Sequence, residues 1–140
     1  LEDTQWAICA HRQPQRDADV GRIYLSHYGF YQALMVQQEA LAVLAEALGL
    51  EQLKLNRSEP TKSIRVHRDR AVGHPTRSGG GVWGIVQADM TSDGFTLYSF
   101  TDDPQWTRVD CDADARAQES DIARRLRDIA KHLEPRAEQE

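Results

Sequence analysis

One short stretch of this chain gathers side chains that can hold a phosphate and move a proton. Residues 64–76 read IRVHRDRAVGHPT, bringing together His67, His74, Arg65, Arg68 and Arg70, with Lys62 just before and Asp69 as the lone acid. Cleaving RNA without a metal calls for a base to take the proton from a 2′-hydroxyl, a cation to hold charge on the phosphorus oxygens, and an acid for the leaving oxygen. Histidine, with an ordinary pKa near 6.5, can fill either proton role at neutral pH, and the fork of an arginine is the natural phosphate clamp. Arg68 and His74 supply both types.

The order of an Arg, a polar residue and then a His, here Arg68-Asp69 and His74 with five residues between the Arg and the His, resembles the signature of the HEPN superfamily (higher eukaryotes and prokaryotes nucleotide-binding). The likeness takes in residues 20–133: a long apolar helix, a helix ending in GHPT, a β insertion and a closing helix, as in HEPN-type bacterial proteins. It implies a single HEPN-like helical domain over residues 1–140 and a metal-independent endoribonuclease of the toxin or defence kind, in which two protomers face a shared cleft. By the resemblance Arg68 holds the phosphate, His74 is the acid or base, and Asp69 is the polar orienter. The basic segment itself offers Arg65, His67, Arg70 and Arg77 as candidate substrate-binding side chains around them. Other members have lost activity, so the alternative is a catalytically inactive module that binds nucleotide, RNA or a protein partner.

Spacing does not single out this pair, because Arg22 with His27 and Arg127 with His132 match with four residues between them. Nor does it settle which Arg meets His74. On an unbroken helix six residues span about 9 Å and turn through roughly 120°, so Arg68 and His74 would point apart. His67, Arg70 and His74 would share a face instead, at i, i+3 and i+7. Arg68 converges on His74 only where the helix ends near Gly73, or across a dimer.

The remaining chemistry is thin. There is no His-Glu-x-x-His, no cysteine cluster, and the acids of Asp110, Asp112 and Asp114 lack the Gly and distal Glu of a calcium loop, so neither a metal nor a cofactor is expected. The triple glycine Gly79-Gly80-Gly81 lacks the Gly-Lys-Ser/Thr of a phosphate loop and reads as a flexible break. Cys9 and Cys111 match no zinc spacing and read as reduced thiols of a cytoplasmic protein. Nothing before Trp6 has the basic-then-apolar grammar of a secretion signal.

A net charge of −5 over 140 residues argues against nonspecific coating of nucleic acid. That charge is unevenly spread, with +4 over residues 62–77 and −7 over residues 89–121. A local basic site on an acidic body suits RNA as a partner. The HEPN resemblance and the broad apolar arc of the long helix imply a homodimer, and the resemblance also implies a cognate protein partner. No apolar run reaches the length of a membrane span.

These groups need a scaffold, and periodicity supplies one: a mainly α domain, a bundle of about four helices with an inserted antiparallel meander of two or three strands at about residues 82–111. A first helix over residues 1–13 is capped by Asp3 or Thr4 and stopped at Pro14. The strongest signal is residues 20–50, apolar over two stripes, with Tyr24, Tyr28, Tyr31 and Met35 as core or as a dimer seam and His27 as a hydrogen-bonded core histidine. Ser58, Pro60 and Thr61 start a third helix that runs to about Val72. Strands are expected over residues 82–90, 95–100 and 106–111, with Trp83, Tyr98 and Trp106 packing against a helix. A last helix over residues 112–133 shows Ile122, Leu126, Ile129 and Leu133 as its buried stripe.

Overall fold

The computed structural model describes residues 2–13, 19–53, 58–72 and 81–137, and four helices and a three-stranded sheet stand among them. In chain order these are α1 (Glu2–His11), α2 (Val20–Ala47), α3 (Glu59–Ala71), β1 (Trp83–Ile85), β2 (Gly94–Ser99), β3 (Trp106–Asp110) and α4 (Cys111–Ala137), with short 3-10 turns at Glu51–Leu53 and Gln87–Asp89. The expected mainly α architecture with a β meander is what the chain adopts. None of the helices among the described residues is long and apolar enough to cross a membrane.

α2 is the central element. Asp19 caps it by accepting from the Arg22 N–H at 2.9 Å. At the other end Gly49 adopts φ 67°, a left-handed conformation that lets the Leu50 N–H reach the Ala45 carbonyl (2.8 Å) and the Gly49 N–H that of Glu46 (2.9 Å). Its apolar arcs are covered from several sides. Phe30, Tyr31 and Leu34 join Ile8 of α1, Ile64 of α3, and Phe95, Leu97 and Val109 of the sheet in one core. Leu41 and Ala45 form a second with Leu50 and Ile129.

The third helix begins where its sequence says. Ser58 accepts from the Thr61 N–H, Pro60 sits in the first turn, and α3 stops at Ala71, with the Val72 N–H bonded to the Arg68 carbonyl at 2.8 Å. Both ends are pinned by side chains from other helices. Asp121 of α4 accepts from Ser58 Oγ (2.9 Å) and Thr61 Oγ1 (3.3 Å), and Tyr28 donates to the Val72 carbonyl at 2.7 Å. Tyr24 reaches the Ala71 carbonyl at 3.5 Å, so these two tyrosines, half-exposed rather than core, steady the exit of α3.

The sheet is an antiparallel β1-β2-β3 meander in the registers Ile85↔Leu97 and Phe95↔Val109. Gly94 opens β2 because a Cβ there would lie 2.1 Å from the Val109 carbonyl oxygen, an approach no other residue permits. The first strand is shorter than expected. Val86 still donates to Thr96, but the Thr96 N–H turns to Asp89 Oδ1 (3.2 Å), so a side chain takes the ladder bond a longer β1 would have made and the chain enters a 3-10 turn.

β3 passes directly into α4, with the Asp110 carboxylate accepting from the Ala113 N–H at 2.8 Å. Of the stripe expected on α4, Ile129 is buried and Ile122 and Leu133 pack against the second core, but Leu126 is 40% exposed. The buried face also carries residues outside that stripe, Cys111, Asp114, Ala115, Gln118, Asp121 and Arg125. Trp106 is a second correction: it stands 64% exposed on the outer face of the sheet against Tyr98, with ring centroids 4.6 Å apart, because Phe95, Leu97 and Val109 already fill the inner face.

Candidate functional site

Three of the four described polar side chains proposed around Arg68 are tied into the fold. Arg65 donates through Nε to Gln38 Oε1 (3.0 Å), which leads into a buried amide chain: Gln38 bonds Gln118 (2.7 Å), and Gln118 bonds Gln37 and the Leu34 carbonyl (2.9 Å each). Arg70 lies over the Trp83 ring, its guanidinium carbon 3.9 Å from the centroid, a cation–π contact that joins α3 to β1 and keeps Trp83 packed as expected. His67 points inward, with Nδ1 2.7 Å from Asp114 Oδ2.

Arg68 and Asp69 differ from these. They pair with each other, Nη1 to Oδ1 at 2.8 Å, with a third of the Arg68 side chain and half of that of Asp69 open to solvent. The Nε of Arg68 is buried with no acceptor among the described residues. His74 and Arg77, the remaining sequence candidates, lie outside the described residues, as do Pro14, Gly73, Pro75, Gly79 and Gly80. α3 ends at Ala71, three residues before His74, so the placing of His74 against His67 and Arg70 lies outside the described residues. The competing spacings also lose force: Arg22 is exposed while His27 is buried, and His132 is exposed and bonded to the Asp128 carbonyl at 2.7 Å.

Asp114 is the hinge of a wider network. Its Oδ2 receives the Tyr31 hydroxyl at 2.7 Å as well as His67, and the same hydroxyl lies 3.9 Å from Cys111 Sγ. Burial first, then the neighbouring Cys111 and Asp114, holds the Tyr31 phenol above its ordinary range, so it is a donor throughout the physiological range.

Beyond Cys111 lies a cluster that spacing gives no hint of. Cys111 Sγ is 3.4 Å from His27 Nδ1, the other ring nitrogen of His27 is 2.8 Å from the Thr91 carbonyl, and the His11 ring is 5.0 Å from that of His27. His11 Nδ1 is 2.9 Å from Ser26 Oγ, and its Nε2 is buried without a hydrogen-bond partner among the described residues. A ring nitrogen from each His and the sulfur all lie within 4.8 Å of one another, and all three residues are buried. Burial, followed by the proximity of His27, lowers the His11 pKa to about 4, while Asp93 pulls the other way. Burial also lowers His27, against its bond to the Thr91 carbonyl, and pushes the Cys111 thiol up to about 12. All three are therefore neutral at pH 7. The cluster borders a cavity of about 550 Å³ whose walls include Arg12, Asp93, Arg108 and Asp110. These three residues come from three helices, so the trace in the sequence is that His11, His27 and Cys111 each fall on the core face of their element.

Comparison of the chain with protein-family models, with curated proteins and with solved structures finds no match.

Proposed function

We propose that the exit of α3 is a phosphodiester site, and that the protein is a metal-independent endoribonuclease of HEPN type working as a homodimer, with Arg68 on the phosphate and His74 moving the proton. The observation that carries this reading is the state of Arg68, a guanidinium one-third open to solvent whose one partner among the described residues is its neighbour Asp69, and whose buried Nε has no acceptor among them. Such an exposed pair contributes at most about 1 kcal/mol, so a phosphate offering bidentate acceptors can displace the carboxylate. Asp69 then becomes the orienter, and Arg70, His67 and Arg65 hold the frame rather than the substrate. The free thiols Cys9 and Cys111 are in keeping with a cytoplasmic protein.

A second reading, the inactive module that binds nucleotide, RNA or a protein partner, draws on the same ion pair and on the capture of His67 by Asp114 and of Arg70 by Trp83. The two are separated by incubating purified protein with single-stranded RNA, adding EDTA at the start of the assay and verifying the fold by circular dichroism. Cleavage by the wild type and its loss in both His74→Ala and Arg68→Ala supports the ribonuclease. Binding without cleavage supports the module. Equal cleavage by wild type and His74→Ala removes the enzyme reading.

A further inference from the structure

We propose that His11, His27 and Cys111 form a zinc site, in which three protein ligands hold the ion and the fourth coordination position faces the cavity beside them. The proposal is independent of the α3 reading and rests on geometry. In a tetrahedral site with Zn–N near 2.0 Å and Zn–S near 2.3 Å, adjacent nitrogen and sulfur ligands stand roughly 3.5 Å apart. His27 Nδ1 and Cys111 Sγ are already 3.4 Å apart, and the third ligand atom lies within 4.8 Å of both, so a small inward shift of the His11 ring completes the set.

The partner of His27 fixes its lone pair toward the sulfur, and that of His11 allows the same once its Nδ1–H donates to Ser26 Oγ. His27 donates its Nε2–H to the Thr91 carbonyl, which leaves the lone pair on Nδ1, the atom facing the sulfur. His11 engages Ser26 Oγ through Nδ1, which leaves Nε2 for the metal, and Nε2 is the buried atom that finds no partner among the described residues. A histidine kept only for packing would place a donor or acceptor there. Metal-ligating imidazoles are characteristically held by a second hydrogen bond from the far nitrogen, and both rings have one.

The donor set selects the ion. Two imidazoles and one thiol suit zinc and are poor ligands for magnesium or calcium, which require oxygen. Binding breaks the Cys111 S–H bond, the sulfur electron pair forms the Zn–S bond, and the proton leaves to solvent; the imidazoles donate lone pairs as neutral bases, and no electron changes hands. The cavity at the open position is lined on opposite charges by Arg12 and Arg108 and by Asp93 and Asp110. The fourth ligand is therefore water or a small oxygen donor rather than a second sulfur.

The test uses the full chain carrying Cys9→Ser, so that Cys111 is its only thiol, stripped of metal by dialysis and titrated with ZnCl2 against a chromophoric chelator and separately with CoCl2. One zinc per chain is expected, and a cobalt spectrum with a thiolate-to-metal charge-transfer band and tetrahedral d–d bands. Cys111→Ser in this background should lose the charge-transfer band, and His11→Gln should weaken zinc binding by roughly 100-fold or more, a larger loss than outer partners cause. Should either variant fail to fold, Ser26→Ala, which removes the outer partner of His11, should still weaken binding roughly tenfold. A parent protein that takes up no zinc, a cobalt complex without the thiolate band, or folded variants that bind as tightly as the parent would overturn the site. Loss of ribonuclease activity has no bearing on any of these readouts.

Discussion

Arg68 and Arg70 sit two positions apart on α3 and are held in opposite ways. The guanidinium of Arg70 covers Trp83 at 3.9 Å, joining helix to sheet, whereas that of Arg68 meets, among the described residues, the exposed carboxylate of Asp69. Their replacement should therefore leave opposite signatures. Arg70→Ala should lower stability by about 1 kcal/mol, the worth of a partly desolvated cation–π contact, and leave RNA affinity nearly unchanged. Arg68→Ala should alter stability by less than about 1 kcal/mol, since exposed pairs contribute little, and should abolish RNA binding. Urea denaturation read beside a fluorescence-anisotropy titration with labelled single-stranded RNA checks both. If Arg70→Ala loses RNA while Arg68→Ala keeps it, the phosphate ligand has been assigned to the wrong arginine.

At the scale of elements, α4 is built around a buried polar stripe whose most connected member is Asp121. Its carboxylate accepts from Arg124 and Arg125 on its own helix and from Ser58 and Thr61 at the start of α3. Burial works to raise its pKa, but the bonds from Arg124, Arg125 and Ser58 outweigh it, and the net shift is downward from 3.8. Because the folded carboxyl titrates below the unfolded one, its stabilisation is in full force above about pH 4 and is lost as pH falls through the depressed folded value. Asp121→Asn should cost about 3 kcal/mol at pH 7, since it leaves Arg125, only 4% exposed, without its counter-charge. That difference should shrink steadily below pH 3.8, and chemical denaturation at stepped pH would show it; a pH-independent gap would mean that the ion pair is not the cause. The same stripe shows what can be read in advance. The caps of α2 and α3, the helix order and the meander follow from local rules written in Asp19, Ser58, Pro60 and Gly94. The polar part of the inner face of α4 does not, because Asp114 and Gln118 are buried by partners remote in sequence, and a hydropathy pattern that finds Ile122, Ile129 and Leu133 also selects Leu126, which stands exposed. At the site, the basic run of α3 is plain in the sequence, but the attachment of His67 to Asp114 and the meeting of His11, His27 and Cys111 depend on which helices pack together.

At the scale of the whole molecule, α2 covers the core with one side and leaves an unusual stripe on the other. Leu25, Gly29, Gln32, Val36, Glu39 and Val43 are all exposed, and they follow one another at alternating steps of four and three residues, the spacing of a helix-pairing seam. Leu25 is 71% exposed and Val43 64%, values at which an isolated leucine or valine adds nothing to its own fold. Gly29 has open space where a Cβ would stand, so two helices could approach closely there. A homodimer through this seam is thus the assembly expected if two copies of Arg68 and His74 are to serve one RNA strand. In sedimentation velocity at micromolar concentration, the wild type should run as a dimer. The double variant Leu25→Glu, Val43→Glu should run as a folded monomer with unchanged circular dichroism, because neither side chain belongs to either core. The cleft reading requires that this monomer also lose RNA cleavage. A wild type that is monomeric throughout the range, or a variant monomer that cuts RNA as fast as the parent, would show that the two chemistries of α3 do not depend on a second copy.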